Sequence, residues 1–224
     1  MGLTARWAHL RAVLFDLDGT LIDSAADLAA AANAMRVARG LHMLPLAHYR
    51  PHGGSGARGM LAQAFGIAPG QPSYDELKHE FLDRYEQRMY ENTRVFAGIG
   101  AELDRLASIG LAWGIVTNKA ERFALPLAAA LGLRAGTIVG GDTTGHAKPH
   151  PAPLLEAARR LGVTPSTCLY VGDDERDILA GRAAGMATAA AAWGYLGRDG
   201  HCHHWQADLE LAAPGELLNH LGLA

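Results

Sequence analysis

The sequence predicts an α/β protein with a doubly wound, Rossmann-like parallel sheet and a helical segment inserted after the first strand. Three observations carry this expectation. Val13, Leu14 and Phe15, within RAVLFDLDGTLIDS, form a run that is apolar on both faces, as in a strand buried in the middle of a parallel sheet. Residues 22–92 carry helical patterns and no convincing strand. Beyond them strands and helices alternate, the pattern of a sheet covered by helices on both sides.

In chain order, the first strand ends in Asp16 and Asp18, with Gly19 permitting a sharp departure. Ser24 followed by Asp27 has the form of a capping box, and the Ala-rich stretch after it reads as a helix ending near Gly40. Pro45, Pro51 and the Gly cluster at 53–56 forbid one continuous helix over 41–60. A further helix is expected from Ser73, with Glu76 three residues on and Leu77, Phe81, Tyr85 and Met89 along one packing face. Strands are expected at 111–118, 137–141, 168–174 and 186–194, with helices near 100–108, 121–131, 152–161 and 176–184. The expected division is therefore a core of residues 1–21 and 93–224, with a helical unit at 22–92.

Composition narrows the function. The chain has 224 residues, 49% of them hydrophobic, enough for one substantial core and a smaller accessory unit. A net charge of -3, with both signs dispersed, offers no basic stripe for nucleic acid. No apolar run is long enough to span a bilayer and no secretory leader is recognisable, so the expectation is a soluble cytoplasmic protein without a membrane partner. Two cysteines, Cys168 in a strand and Cys202 in a His-rich loop, do not make a disulfide framework.

The strand ends carry the chemistry. Besides Asp16 and Asp18, Thr117 lies at the end of the chain's second expected strand, Lys148 lies in GDTTGHAKPHP before a helix, and Asp173 and Asp177 lie in VGDDERD. Carboxyl ends of parallel strands are where open α/β sheets bind ligands. Four acids, a hydroxyl and a lysine there form a set suited to phosphoryl transfer. A carboxylate nucleophile approaching an anionic phosphate needs a hard cation, and magnesium suits oxygen ligands.

DLDGT, a Thr at the next strand end, a Lys before a helix and GDxxxD, in this order, resemble the haloacid dehalogenase superfamily over essentially the whole chain. The insertion after DLDGTLIDS, with TNKAERFALPL, HAKPHPAPLL and YVGDDERDILAGRAAGM, is similar to the helical cap of the phosphoglycolate-phosphatase-like branch, near the N-acetylmuramate 6-phosphate phosphatases. The resemblance implies Asp16 as nucleophile, Asp18 as acid and then base, Thr117 as donor to phosphoryl oxygens and Lys148 as charge partner. It implies a Mg2+ site made by Asp16, the backbone carbonyl of Asp18, Asp173 and Asp177, the last either as a direct ligand or one step removed. The substrate implied is a small phosphorylated metabolite, 2-phosphoglycolate or N-acetylmuramate 6-phosphate.

Several residues have two readings. Asn118 is a candidate phosphate contact or turn chemistry after Thr117. In GGSGAR, Gly54, Ser55, Gly56 and Arg58 form either a substrate loop, with Arg58 clamping a second anion, or a plain interhelical turn. Lys119 either assists phosphate binding or is solvated just inside the next helix, and Asp174 is an extra acid beside the metal set. His201, His203 and His204 around Cys202 lack the second ligand pair of a zinc site. Rival functions are a dehalogenase, which has no use for Asp18 and Asp173, a phosphosugar mutase, and a non-catalytic sugar-phosphate sensor.

Overall fold

The computed structural model describes residues 3–197 and 200–223. All residues of β1 (Ala12–Phe15) are buried. Val13 and Phe15 join one apolar cluster while Ala12 and Leu14 join the other, as period-two geometry demands of a strand covered on both faces. Truncating the fully buried Leu14 to Ala would cost about 2–5 kcal/mol, from the lost burial and the cavity left among its neighbours.

After β1 come β2 (Ile22–Asp23), α1 (Ala25–Ala38), α2 (Leu46–Tyr49), α3 (Gly56–Phe65), α4 (Tyr74–Glu86) and β3 (Arg94–Val95). The alternating part follows with α5 (Ile99–Ser108), β4 (Ala112–Val116), α6 (Glu121–Ala130), β5 (Ile138–Val139), α7 (Ala152–Leu161) and β6 (Cys168–Gly172). It ends with α8 (Glu175–Ala183), β7 (Ala187–Ala191), β8 (Leu209–Leu211) and α9 (Glu216–Leu221).

The main sheet has six strands in the order β5-β4-β1-β6-β7-β8, and every neighbouring pair is parallel. Counting only its own strands, this is the order of a doubly wound sheet whose direction of winding reverses between β1 and β6. Phe15 is in register with Ile115 on one side and Val171 on the other. Asp16, Thr117 and Asp173 therefore emerge together at the reversal, where helices on either face leave a crevice.

The inserted segment differs from expectation in its details. Ile22 and Asp23 pair antiparallel with Val95 and Arg94, so a strand does occur at the edge of the 22–92 block. The expected capping box is absent, since Ser24 makes no side-chain bond to the α1 backbone. Asp27 instead accepts hydrogen bonds from the backbone N–H and side-chain amide of Asn92 and from the N–H and hydroxyl of Thr93. It ties the departing helix to the returning chain. Ser73 likewise makes no cap bond, and Met89 lies beyond the end of α4. The prolines break 41–60 as anticipated, into α2, a 3-10 turn at Arg50–Ser55 and the start of α3. β8 and α9 complete the sheet edge without having been anticipated. No helix among the described residues is long and apolar enough to cross a membrane.

Candidate active site

The crevice at the carboxyl ends of β1 and β6 opens into a cleft of about 750 Å³. At its floor Lys148, 5% exposed, reaches Asp16 Oδ1 at 2.8 Å and Asp177 Oδ1 at 2.7 Å. Its ammonium also donates to the Tyr170 hydroxyl at 2.8 Å and to the Val116 carbonyl at 3.1 Å. Burial opposes its charge, but Asp16 and Asp177 outweigh burial and hold the ammonium above the ordinary lysine range. Asn118 fixes the lysine's backbone from both sides, donating from Nδ2 to the Lys148 carbonyl at 3.0 Å and accepting its N–H at 2.8 Å.

Asp173 is held by two donors, Thr20 Oγ1 at 2.9 Å and the Tyr195 N–H at 2.7 Å. Two glycines make room for it. Gly19 has φ of +89°, and a Cβ there would stand 2.1 Å from Asp173 Oδ2. One at Gly194 would stand 2.1 Å from Asp173 Cβ. Asp177 closes the capping box of α8 with Asp174, accepting the Asp174 N–H at 3.1 Å, so its backbone place and carboxylate direction are fixed together.

Oxygens of Asp16, Asp173 and Asp177 lie within 4.8 Å of one another, all buried. Burial lifts the Asp173 carboxyl well above its usual range, with the charges of Asp16 and Asp177 adding to it. Burial also lifts Asp177 to about 7 in spite of the Lys148 ammonium. Asp16 Oδ1, although 2.8 Å from that ammonium, is out of line for a hydrogen bond. Three buried carboxylates facing one ammonium carry surplus negative charge, and a hard divalent cation with oxygen ligands would offset it. The donor set fits magnesium.

Asp18 occupies the other wall. Ser24 Oγ donates to its Oδ1 at 2.5 Å, and Lys119 Nζ is 3.1 Å from its Oδ2. The Ser24 N–H donates to the Tyr195 hydroxyl at 2.9 Å, so the residue that steadies Asp173 through its backbone also steadies the loop behind Asp18 through its side chain. Lys119 precedes α6 and its side chain is 8% exposed, contrary to the solvated position the sequence allowed. Its ammonium donates to the Tyr85 hydroxyl at 3.2 Å, so the α4 face is not packing alone. Burial disfavours the Lys119 charge, but Asp18 and Tyr85 overcome this and raise its pKa.

Thr117 is buried on the same floor, its hydroxyl oxygen accepting the Lys119 N–H at 3.1 Å. Gly54, Ser55, Gly56 and Arg58 line the cleft from the inserted segment. Asp174 is not one of the three clustered acids; both its carboxylate oxygens accept from Arg176 at 2.7 Å, while Arg176 donates to the Gly54 carbonyl at 2.8 Å. In the His-rich loop Cys202 is buried and His203 Nδ1 meets Glu210 at 2.6 Å. Sequence reading missed Thr20, Ser24, Tyr170, Arg176 and Tyr195. Thr20 and Arg176 stand inside the DLDGT and VGDDERD motifs, and Ser24 adjoins the first of them, where a capping role masked it; Tyr170 and Tyr195 offered no signal.

Residues 10–185 match the family model described as haloacid dehalogenase-like hydrolase. A phosphoglycolate phosphatase from Xanthomonas campestris pv. campestris is 49% identical over 209 residues, covering 92% of this chain and 94% of its own. An N-acetylmuramic acid 6-phosphate phosphatase from Pseudomonas aeruginosa is 43% identical over 218 residues, covering 96% of both. Among solved structures, that of a predicted phosphoglycolate phosphatase from Haemophilus somnus matches with a TM-score of 0.84 at 25% identity, covering 94% of this chain and 97% of the other.

Proposed function

The chain belongs to the haloacid dehalogenase-like hydrolase family, and from that premise we propose that it is a magnesium-dependent phosphatase acting on a small phosphate monoester through an aspartyl-phosphate at Asp16. The convergence of Asp16, Asp173 and Asp177 around Lys148 is the observation that supports this best.

The Asp16 carboxylate attacks phosphorus, the bond to the alcohol oxygen breaks, and the leaving oxygen takes a proton from Asp18. In the second half Asp18, now a carboxylate, takes a proton from the water that attacks phosphorus, releasing phosphate and restoring Asp16. Thr117 donates a hydrogen bond from its hydroxyl to a phosphoryl oxygen, and Lys148 offsets charge on Asp16 and the phosphate. Asp16, the backbone carbonyl of Asp18, Asp173 and Asp177 would hold magnesium, which when bound supplies the positive charge that lets a carboxylate approach a dianionic phosphate. Asn118, its amide committed to the Lys148 backbone, acts by positioning that lysine.

Residues 22–92 serve as a cap over a core of 1–21 and 93–224, with Gly54, Ser55, Gly56 and Arg58 facing the substrate. The relatives' names supply two candidate substrates, 2-phosphoglycolate and N-acetylmuramate 6-phosphate. Turnover of both and of an aryl phosphate, before and after exhaustive chelation, tests the proposal. Activity lost on chelation and restored by magnesium supports it, and full activity without a divalent cation contradicts it.

A further inference from the structure

Resting on that phosphatase reading, we propose that the cleft holds a second anion subsite, made by Lys78 and Arg58 at the far end of α4, and that the substrate is a phosphorylated sugar acid whose carboxylate lies across a ring from the phosphate. One face of α4 lines the cleft along its length, through Tyr74, Lys78, Phe81, Leu82 and Tyr85. Its Tyr85 end marks the reacting centre, because the Tyr85 hydroxyl accepts from Lys119 at 3.2 Å and Lys119 meets Asp18 at 3.1 Å. Asp18 faces the leaving oxygen, so whatever the phosphate is attached to extends from there along the helix.

At 1.5 Å per residue, Lys78 stands about 10 Å along the axis from Tyr85. Arg58, in the first turn of α3, lines the same cleft as Tyr74 and Lys78, and its charge acts against the rise that burial imposes on the Tyr74 phenol. Neither Lys78 nor Arg58 has a salt bridge among the described residues, whereas Lys119, Lys148 and Arg176, the cations nearer the reacting centre in the same cleft, all do. With Arg122, which also lines the cleft and makes no salt bridge among the described residues, they leave positive charge there for an anion brought by the ligand.

Between the two ends Phe81 and Leu82 present apolar surface, which suits the face of a sugar ring better than a charge. The two anionic groups of 2-phosphoglycolate are separated by one methylene and the ester oxygen, far short of the roughly 10 Å between Tyr85 and Lys78 along the helix. A hexose phosphorylated on its exocyclic carbon and carrying a carboxylate arm on the other side of the ring covers most of it. A cleft of about 750 Å³ is also in the range that encloses such a molecule.

The test compares N-acetylmuramate 6-phosphate with N-acetylglucosamine 6-phosphate, which lacks only the carboxylate arm, and includes 2-phosphoglycolate and p-nitrophenyl phosphate. We expect kcat/KM for the carboxylated sugar to exceed that for the uncarboxylated one by about tenfold or more, the worth of one charge-assisted contact. Lys78→Ala and Arg58→Ala should each shrink that ratio through KM, and Lys78→Arg should preserve it. If p-nitrophenyl phosphate is hydrolysed while the two sugars are turned over equally, or while 2-phosphoglycolate is the best substrate, the subsite is wrong and the phosphatase reading stands. Variants that lose all substrates in one proportion would also overturn the subsite, assigning both residues to folding. Failure to hydrolyse any ester with magnesium present would overturn both readings.

Discussion

Ser24 Oγ donates to Asp18 Oδ1 at 2.5 Å, leaving Oδ2 to face Lys119 at 3.1 Å. Both oxygens of the proposed acid are thus held by fully or largely buried partners. A group with a fixed carboxylate plane can meet a leaving oxygen without first giving up rotamer freedom.

Ser24→Ala should therefore slow alkyl phosphates more than aryl phosphates, whose leaving oxygens need little protonation. We expect a loss of roughly tenfold in kcat for an alkyl ester, a fraction of the full contribution of a general acid. A leaving-group series on wild type and variant measures it. Equal losses across the series would show that Ser24 only supports the fold.

The surplus charge at Asp16, Asp173 and Asp177 predicts that magnesium stabilises the folded chain, by about 2.7 kcal/mol at a hundredfold excess over its dissociation constant. Asp173→Asn removes one of the repelling carboxylates. In chelator it should unfold no earlier than wild type, and it should lose most of the rise in melting temperature on adding magnesium. A full magnesium response in this variant would remove Asp173 from the site.

Glu102, on α5 and 2% exposed, supplies a pH dependence remote from the site. Burial raises its carboxyl from 4.5 to about 7, against the opposing pull of the backbone N–H groups of Leu218, Leu217 and Gly215. Because the folded value is the higher one, its contribution to stability is fully present below pH 4.5 and is lost as pH rises through 7. Glu102→Gln should then gain on wild type by up to about 3 kcal/mol at pH 8 and by little at pH 4.5, read from urea unfolding at both pH values. A difference that does not change with pH contradicts the assignment.

The central strands were legible because burial on both faces writes an unbroken apolar run, and Asp16, Thr117, Lys148, Asp173 and Asp177 were legible because each adjoins such a strand or the helix after it. The β2–β3 ribbon was not, since two residues carry no periodicity. Nor was β8, where Leu209 and Leu211 alternate with a single exposed residue. Lys119 and Ser24 were misjudged for one reason: local rules for helix starts apply to both, and tertiary partners, Asp18 above all, decided their places instead. Tyr195 lies 177 residues from Asp18 in sequence and acts on it through Ser24, a relation no local pattern records.

Rapid-quench labelling with an aryl phosphate puts the assignment of Asp16 as nucleophile to the most direct test. Asp16→Asn removes the attacking oxygen and should accumulate no phospho-enzyme. Asp18→Asn keeps that oxygen but lacks the base for hydrolysis, so it should accumulate acid-stable, hydroxylamine-sensitive label at Asp16. Label appearing on the Asp16→Asn protein in proportion to turnover would contradict the account, because the phosphoryl group would then be passing through some other residue.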